Sequence, residues 1–175
     1  MRSLGVVIAL FLLGGCMPMA SKAKRYSGDG EIRVCSNLLA QGYSITFPSF
    51  PADQPFSAVY KLAGVPSVSR DPYVYLSFHS DAPPSASDTV KPQVTAVMHL
   101  TLEDSSGRQL RSLELPLAKA IWRHSQDVFG VYDLEKSSFH FEPSASYVLR
   151  VSYTPGSTPP PAKEVYFEID GCAYY

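Results

Sequence analysis

The sequence predicts an all-β protein: a single antiparallel β-sandwich of roughly seven to nine strands, after an N-terminal signal peptide and a flexible tether. Three observations predict it. Apolar residues recur at every second position in several short runs, turn-forming segments separate these runs, and no amphipathic helix of ordinary length is found. The chain of 175 residues contains 15 prolines, which are typical of turns and strand edges. Hydrophobic residues make up 45% of it, enough for a core.

The clearest strand signal lies between Val94 and Leu102, where one face of the predicted strand carries only apolar residues. The turn sequence Ser105-Ser106-Gly107 follows, and a second run contains Leu110, Leu113 and Leu115. These segments predict a β-hairpin. We expect Gly107 to adopt a positive φ in its turn, because glycine does so without a steric penalty.

Further strands are predicted around Phe139 and Phe141 and over residues 73–79, 147–153 and 165–169. The segment Leu115–His124 leaves two possibilities open, a short helix that begins at Pro116 or another strand. Two segments are rich in Pro, Ser and Thr, Asp81–Pro92 and Thr154–Ala162. We expect both to be loops within one domain, because strands on either side are needed to complete one core.

The unit Phe141-x-Pro-x-x-x-Tyr147-x-Leu149-x-Val151 places a turn before a strand that opens on tyrosine. It resembles a recurring segment of small exported β-sandwiches with an immunoglobulin-like or C2-like arrangement. The resemblance covers about fifteen residues, supports the predicted architecture and implies no particular activity.

The N-terminus has the layout of a secretory signal peptide: a basic residue, Arg2, then the apolar run Leu4–Leu13 and small residues. The sequence Leu13-Gly14-Gly15-Cys16 resembles the lipobox of bacterial lipoproteins. This resemblance implies cleavage before Cys16 and attachment of acyl chains to that residue. Several acyl chains together form a stable membrane anchor. A spanning helix would need about twenty consecutive apolar residues, and this run is shorter.

The lipoprotein resemblance divides the chain into a signal peptide at 1–15, a lipidated cysteine with a flexible tether at 16–30 and a β-sandwich domain at 31–175. In bacterial lipoproteins, an Asp directly after the lipidated cysteine acts as an inner-membrane retention signal. Met17 stands there in this chain. We therefore expect an outer-membrane protein that faces the periplasm.

The charge balance argues against a nucleic-acid partner. The chain has 15 basic and 16 acidic residues, a net charge of −1, and neither sign is concentrated in the predicted domain. Phosphate contact needs a basic face, which this composition does not provide.

Two cysteines remain once Cys16 is assigned to lipidation, namely Cys35 and Cys172. In an exported, oxidising compartment such a pair predicts a disulfide. It would join the beginning of the domain to its end. No CxxC motif is present, which argues against a redox couple or a metal site.

No catalytic motif is found: the chain lacks GxSxG, HExxH and a glycine-rich phosphate loop. His99 and His140 lie opposite the apolar faces of their predicted strands, so we expect both to be exposed. Acidic residues fall in or near turns without the density of a calcium loop. We therefore expect no enzyme activity, no cofactor and no metal.

The segment from Trp122 to Asp127 holds the single Trp of the chain next to Arg123 and His124. Trp and Arg are favoured anchors at protein interfaces, so Trp122, Arg123, His124 and Asp127 are candidate partner-binding residues. Burial of Trp122 between the sheets is the alternative. The sequence thus predicts a non-catalytic lipoprotein that binds another protein of the cell envelope, in an assembly or an immunity-type role. A carbohydrate-binding module of the cell wall or a small periplasmic hydrolase is the other class left open.

Overall fold

A computed structural model of the chain describes residues 25–36, 41–66, 72–79, 94–119, 121–125, 128–132, 138–158 and 162–172. Within these ranges the chain forms two antiparallel sheets and no α-helix, which confirms the predicted β-sandwich. The strands in chain order are β1 Ser27–Gly28, β2 Glu31–Ser36, β3 Gln41–Thr46, β4 Phe50–Pro51, β5 Phe56–Ala63, β6 Tyr73–His79, β7 Val97–Asp104, β8 Gln109–Pro116, β9 Ile121–Ser125, β10 Val128–Tyr132, β11 Ser146–Thr154 and β12 Glu164–Asp170.

One sheet has five strands in the order β1-β5-β11-β7-β8. The other has seven, in the order β2-β3-β12-β6-β10-β9 with β4 beside β12. The described residues thus hold ten strands of five or more residues and two shorter ones, more than the seven to nine predicted. Strands β2, β3, β5 and β10 have no counterpart among the strands predicted individually. The strand predicted around Phe139 and Phe141 is wrong: Ser138 forms only an isolated bridge to Tyr73, and the two phenylalanines follow it outside any strand.

The core forms where the inward faces of the two sheets meet. In β7, Met98, Leu100 and Leu102 are at most 2% exposed, whereas His99 between them is exposed, as the alternation predicts. Tyr147 and Tyr153 of β11 are buried in the same way. Removal of apolar surface from water is the main stabilising term, at roughly 25 cal/mol per Å².

The predicted hairpin is confirmed as β7–β8. Gly107 has a φ of 84° in its turn. The N–H of Gly107 donates a hydrogen bond of 3.0 Å to the carbonyl of Asp104.

The segment Leu115–His124 is mainly extended. Strand β8 continues to Pro116, a single 3-10 turn covers Leu117–Lys119, and β9 begins at Ile121. Leu117 is fully buried, and its N–H donates to the carbonyl of Ala96 at 2.9 Å. This tertiary contact fixes the turn. The segment thus combines the two predicted alternatives, with one 3-10 turn directly after Pro116 and strand on either side of it.

The strand β11 opens on Tyr147, as the sequence predicts. Its hydroxyl oxygen accepts a hydrogen bond of 2.6 Å from the backbone N–H of Glu142, five residues upstream. The Tyr147 ring packs edge-on against Phe141 at 5.2 Å between centroids. Such a bond from a strand-opening tyrosine to the preceding turn is the tyrosine corner of β-sandwiches.

The disulfide between Cys35 and Cys172 is present, with a Cα–Cα distance of 5.9 Å. Strands β2 and β12 both pair with β3, so the bridge crosses β3 at Gly42. A side chain at Gly42 would collide with the backbone of Gly171, which lies directly against it. Glycine is therefore required for this crossing.

The first described strand, β1, pairs with the end of β5. Asp29 extends this contact, since its carboxylate accepts the N–H of Lys61 at 2.7 Å and its own N–H donates to the Lys61 carbonyl at 2.8 Å. Sheet structure thus begins at Ser27, inside the range 16–30 assigned to the tether. No helix in the described ranges is long and apolar enough to span a membrane. Cys16 lies outside the described residues.

Candidate functional site

A groove of about 610 Å³ opens between the β7–β8 hairpin and the segment that leads into β11. Its floor is formed by buried residues, among them Leu102, Phe139 and Tyr147. Polar and charged side chains surround this floor: Asp104, Arg108, Arg111, His140 and Glu142. The groove therefore joins an apolar base to a polar rim, the usual composition of a binding site.

A β-bulge shapes the hairpin side of the groove. Leu102 pairs with Arg111 and Glu103 pairs with Gln109, so Leu110 is an extra residue without a partner position on β7. A bulge of this kind bends the strand and redirects side chains. Here both Leu110 and Arg111 line the groove, and Leu110 is 42% exposed.

Asp104 fixes the hairpin turn at the rim. Its carboxylate accepts hydrogen bonds from the hydroxyl of Ser106 at 2.5 Å, from the backbone N–H of Ser106 at 2.9 Å and from that of Arg108 at 3.1 Å. The Nε of Arg108 adds an ion pair at 3.0 Å. These bonds, that of the Ser106 hydroxyl first, lower the pKa of Asp104 to about 2. The carboxylate thus stays ionised and holds the turn.

The opposite wall is held by the start of β6. Ser138 pairs with Tyr73 in an isolated bridge, and the N–H of Phe139 donates to the Pro72 carbonyl at 2.8 Å. On the rim of this wall, the Nε2 of His140 lies 3.0 Å from a carboxylate oxygen of Glu142, and both side chains are about two-thirds exposed. His140 is exposed, as predicted. Both side chains therefore face solvent at the rim of the groove.

A second, shallower depression of about 430 Å³ lies on the outer face of the five-stranded sheet. Val59, which is 52% exposed, and Arg150 border it, with His99 and several hydroxyl side chains. Arg150 donates to Glu103 at 2.9 Å, and His99 lies 3.9 Å from Glu114. Polar and apolar side chains line this depression together, and no buried aromatic side chain is among them.

The predicted partner-binding residues lie elsewhere. Trp122, Arg123 and His124 are on β9, which pairs with β10 and stands last in the described order of its sheet. The structure describes the backbone of this strand. Asp127 lies outside the described residues. The proposed interface role of these four residues therefore remains a prediction, and so does the alternative that Trp122 is buried.

Among the described residues, no group of three or more His, Cys, Asp or Glu side chains is placed to hold a metal ion. The groove residues Leu110 and Arg111 were not predicted as a site. A signal for them exists in the sequence: Leu110 is out of step with Leu113 and Leu115, which share a face. A break in alternation next to a turn indicates a bulge.

The fold and groove define a class, an all-β sandwich with a charged-rim groove at one hairpin. Comparison with protein-family models, with curated proteins and with solved structures finds no match for this chain.

Proposed function

We propose that this protein is a non-catalytic lipoprotein of the outer membrane, held by acyl chains on Cys16 and facing the periplasm. Its groove binds another protein of the cell envelope. The anchor is supported by the lipobox-like sequence that ends at Cys16. The bulged Leu110 on the groove lip is the single observation that carries the binding role.

Leu110 supports this role because it is a large apolar side chain that lines the groove at a bulge. A partner that covers it removes apolar surface from water, which favours binding. Full burial of a leucine contributes about 1.5–3 kcal/mol, and 42% of this residue is exposed. A segment that covers Leu110 also reaches the buried floor at Phe139. Apolar anchors surrounded by polar groups are typical of interface hot spots.

The rim indicates the chemistry of the partner. Asp104 and Arg108 form an ion pair and His140 contacts the carboxylate of Glu142, so the rim presents both charge signs. A protein segment with an apolar side chain between polar or charged residues fits this arrangement. The role is either assembly of an envelope structure or immunity against an incoming toxin, and the identity of the partner separates the two.

The anchor is tested by the variant Cys16→Ala, with Ser21→Ala as the matched control. We expect Cys16→Ala to move from the membrane fraction to the soluble periplasmic fraction, because no acyl chain can be attached, while the control stays at the membrane. Membrane fractionation that does not change in Cys16→Ala would overturn the lipid anchor.

The binding role is tested by photo-crosslinking in the native host. The crosslinking residue p-benzoylphenylalanine replaces Leu110 in one strain and Val59 in a matched strain, since Val59 is also exposed and apolar but lies on the outer sheet face. We expect one dominant protein adduct at position 110 that is absent at position 59 and weakened by Arg111→Glu. Adducts with glycan alone would favour the carbohydrate-binding class, and equal adducts at both positions would contradict a groove-specific site.

A further inference from the structure

Asp170 is a buried carboxyl group at the end of β12. It is 3% exposed, and the other buried polar residue of the described chain is Ser44 at 9%. An ionised carboxylate loses its hydration when it is buried, so such a residue normally has an ion-pair partner. Here the contacts are of a different kind.

Two hydrogen bonds hold the Asp170 carboxyl. Its Oδ1 accepts the backbone N–H of Cys172 at 2.8 Å, next to the disulfide. Its Oδ2 accepts the hydroxyl of Tyr73 on β6 at a longer 3.4 Å. The carboxyl therefore connects the last residues of the domain to the neighbouring strand.

The charged groups around Asp170 do not neutralise it. Glu168 lies on the same face of β12 and carries the same charge sign. On β2, two strands away, Arg33 pairs with Glu31 at 3.3 Å. The facing residue of β3 is Ser44 and that of β6 is Tyr73, neither of which is a cation. Within the described ranges, no basic side chain forms an ion pair with Asp170.

We propose that Asp170 is a proton-operated latch on the disulfide-bearing end of the domain. The uncharged carboxyl is compatible with its buried position. Its Oδ1 still accepts the N–H of Cys172, and a proton on Oδ2 is donated to the hydroxyl oxygen of Tyr73. Ionisation places an uncompensated charge there and weakens this end. The device is independent of the partner proposed for the groove.

The direction of the effect follows from the pKa. Burial raises the pKa of Asp170 to about 6, with a smaller contribution from Glu168, against the opposing hydrogen bonds from Cys172 and Tyr73. A carboxyl group with a raised pKa binds its proton more tightly in the folded state than in the unfolded one. Its contribution to stability is therefore complete below about pH 4 and is lost as the pH rises to about 6.

The test compares Asp170→Asn with the wild-type full chain in detergent, with the disulfide intact. Urea unfolding is measured between pH 4 and pH 7.5. The quantity compared is the folding equilibrium constant of the wild type divided by that of Asp170→Asn. We expect this ratio to fall about 100-fold from pH 4 to pH 7.5. The control Glu164→Gln removes an exposed carboxylate from the same strand and should leave that fall in place. A ratio that does not change with pH would overturn the latch.

A second measurement needs no substitution. The carboxyl carbon of Asp170 is followed by nuclear magnetic resonance in the ¹³C-labelled wild type, after assignment, during a pH titration. A midpoint near pH 6 supports the latch, whereas a midpoint near pH 4 rejects it, even if Asp170→Asn fails to fold.

Discussion

The groove rim and the disulfide-bearing end of β12 place the same kind of side chain in opposite situations. Asp104, on the rim, is partly exposed and accepts four hydrogen bonds from its own turn, and its pKa falls to about 2. Asp170 is buried with two hydrogen bonds and, among the residues that the structure describes, no cationic partner, and its pKa rises to about 6. The two residues show that desolvation prevails over hydrogen bonding where water is excluded, and the reverse where water remains.

The two regions also differ in how the backbone is held. The disulfide end is closed by a covalent bond and by backbone packed against Gly42. The hairpin at the groove is closed by hydrogen bonds to one carboxylate, and its Gly107 has no atom near the position of a side chain. One region therefore resists change, whereas the other leaves its side chains accessible to a partner. Three experiments test this difference.

The largest effect is expected from the double variant Cys35→Ala/Cys172→Ala. The bond joins residues separated by 137 positions, and in the chain-entropy model its removal costs about 4–5 kcal/mol of unfolding free energy. Urea unfolding of the variant and the wild type measures this loss. Alkylation and mass spectrometry of the non-reduced wild type should show no free thiol at either position. A loss below about 1 kcal/mol would contradict this expectation and would indicate that the unfolded chain without the bond keeps residual structure that already restricts it.

The next comparison uses two glycines. Gly42→Ala places a methyl group against the backbone of Gly171, and we expect a loss of about 1–3 kcal/mol from overpacking. Gly107→Ala meets no atom within 4 Å but must adopt a φ near 84°, so its cost is about 1 kcal/mol. Thermal unfolding of both variants checks the order. If Gly107→Ala lowers the unfolding temperature more than Gly42→Ala does, the hairpin rather than the disulfide end tolerates a side chain less well, which contradicts the comparison.

The smallest effect is expected for Asp104→Asn, and it disappears in acid. A carboxylate with a lowered pKa contributes stability above about pH 4 and loses it as the pH falls to about 2. The variant should therefore be less stable than the wild type at pH 7 and should approach it at pH 2. This trend is opposite in sign to that of Asp170→Asn. Urea titrations at both pH values measure it, and a difference that is the same at both would show that the turn does not depend on this charge.

Much of the fold could be predicted because apolar and polar residues alternate along its strands. The run from Val94 to Leu102 specifies both the buried face and the exposure of His99, and Gly107 specifies the turn. Strand β5 was missed although Phe56, Ala58, Tyr60 and Leu62 also alternate. The exposed Val59 between them interrupts the polar face and conceals the pattern.

The groove and the latch could not be predicted in the same way. Asp170 follows Ile169 in an alternating strand, so alternation predicts that it faces outward and is exposed. It is nevertheless only 3% exposed, and its carboxyl accepts the backbone N–H of Cys172, which lies beyond the end of the alternating run. The groove joins Leu110 to Phe139 through packing between distant segments. Such long-range contacts leave no periodic signal in a single sequence.

The disulfide has a mechanical consequence for the proposed arrangement, in which the domain is anchored at its N-terminus and pulled by a ligand at the groove. Tension applied to the first residues would peel away β1 and β2 only as far as Cys35, where it meets the bond to Cys172. From there the chain reaches the groove by two routes, forward from Cys35 and backward from Cys172. The load divides between these two routes, so the segment between them carries the pull as a closed ring.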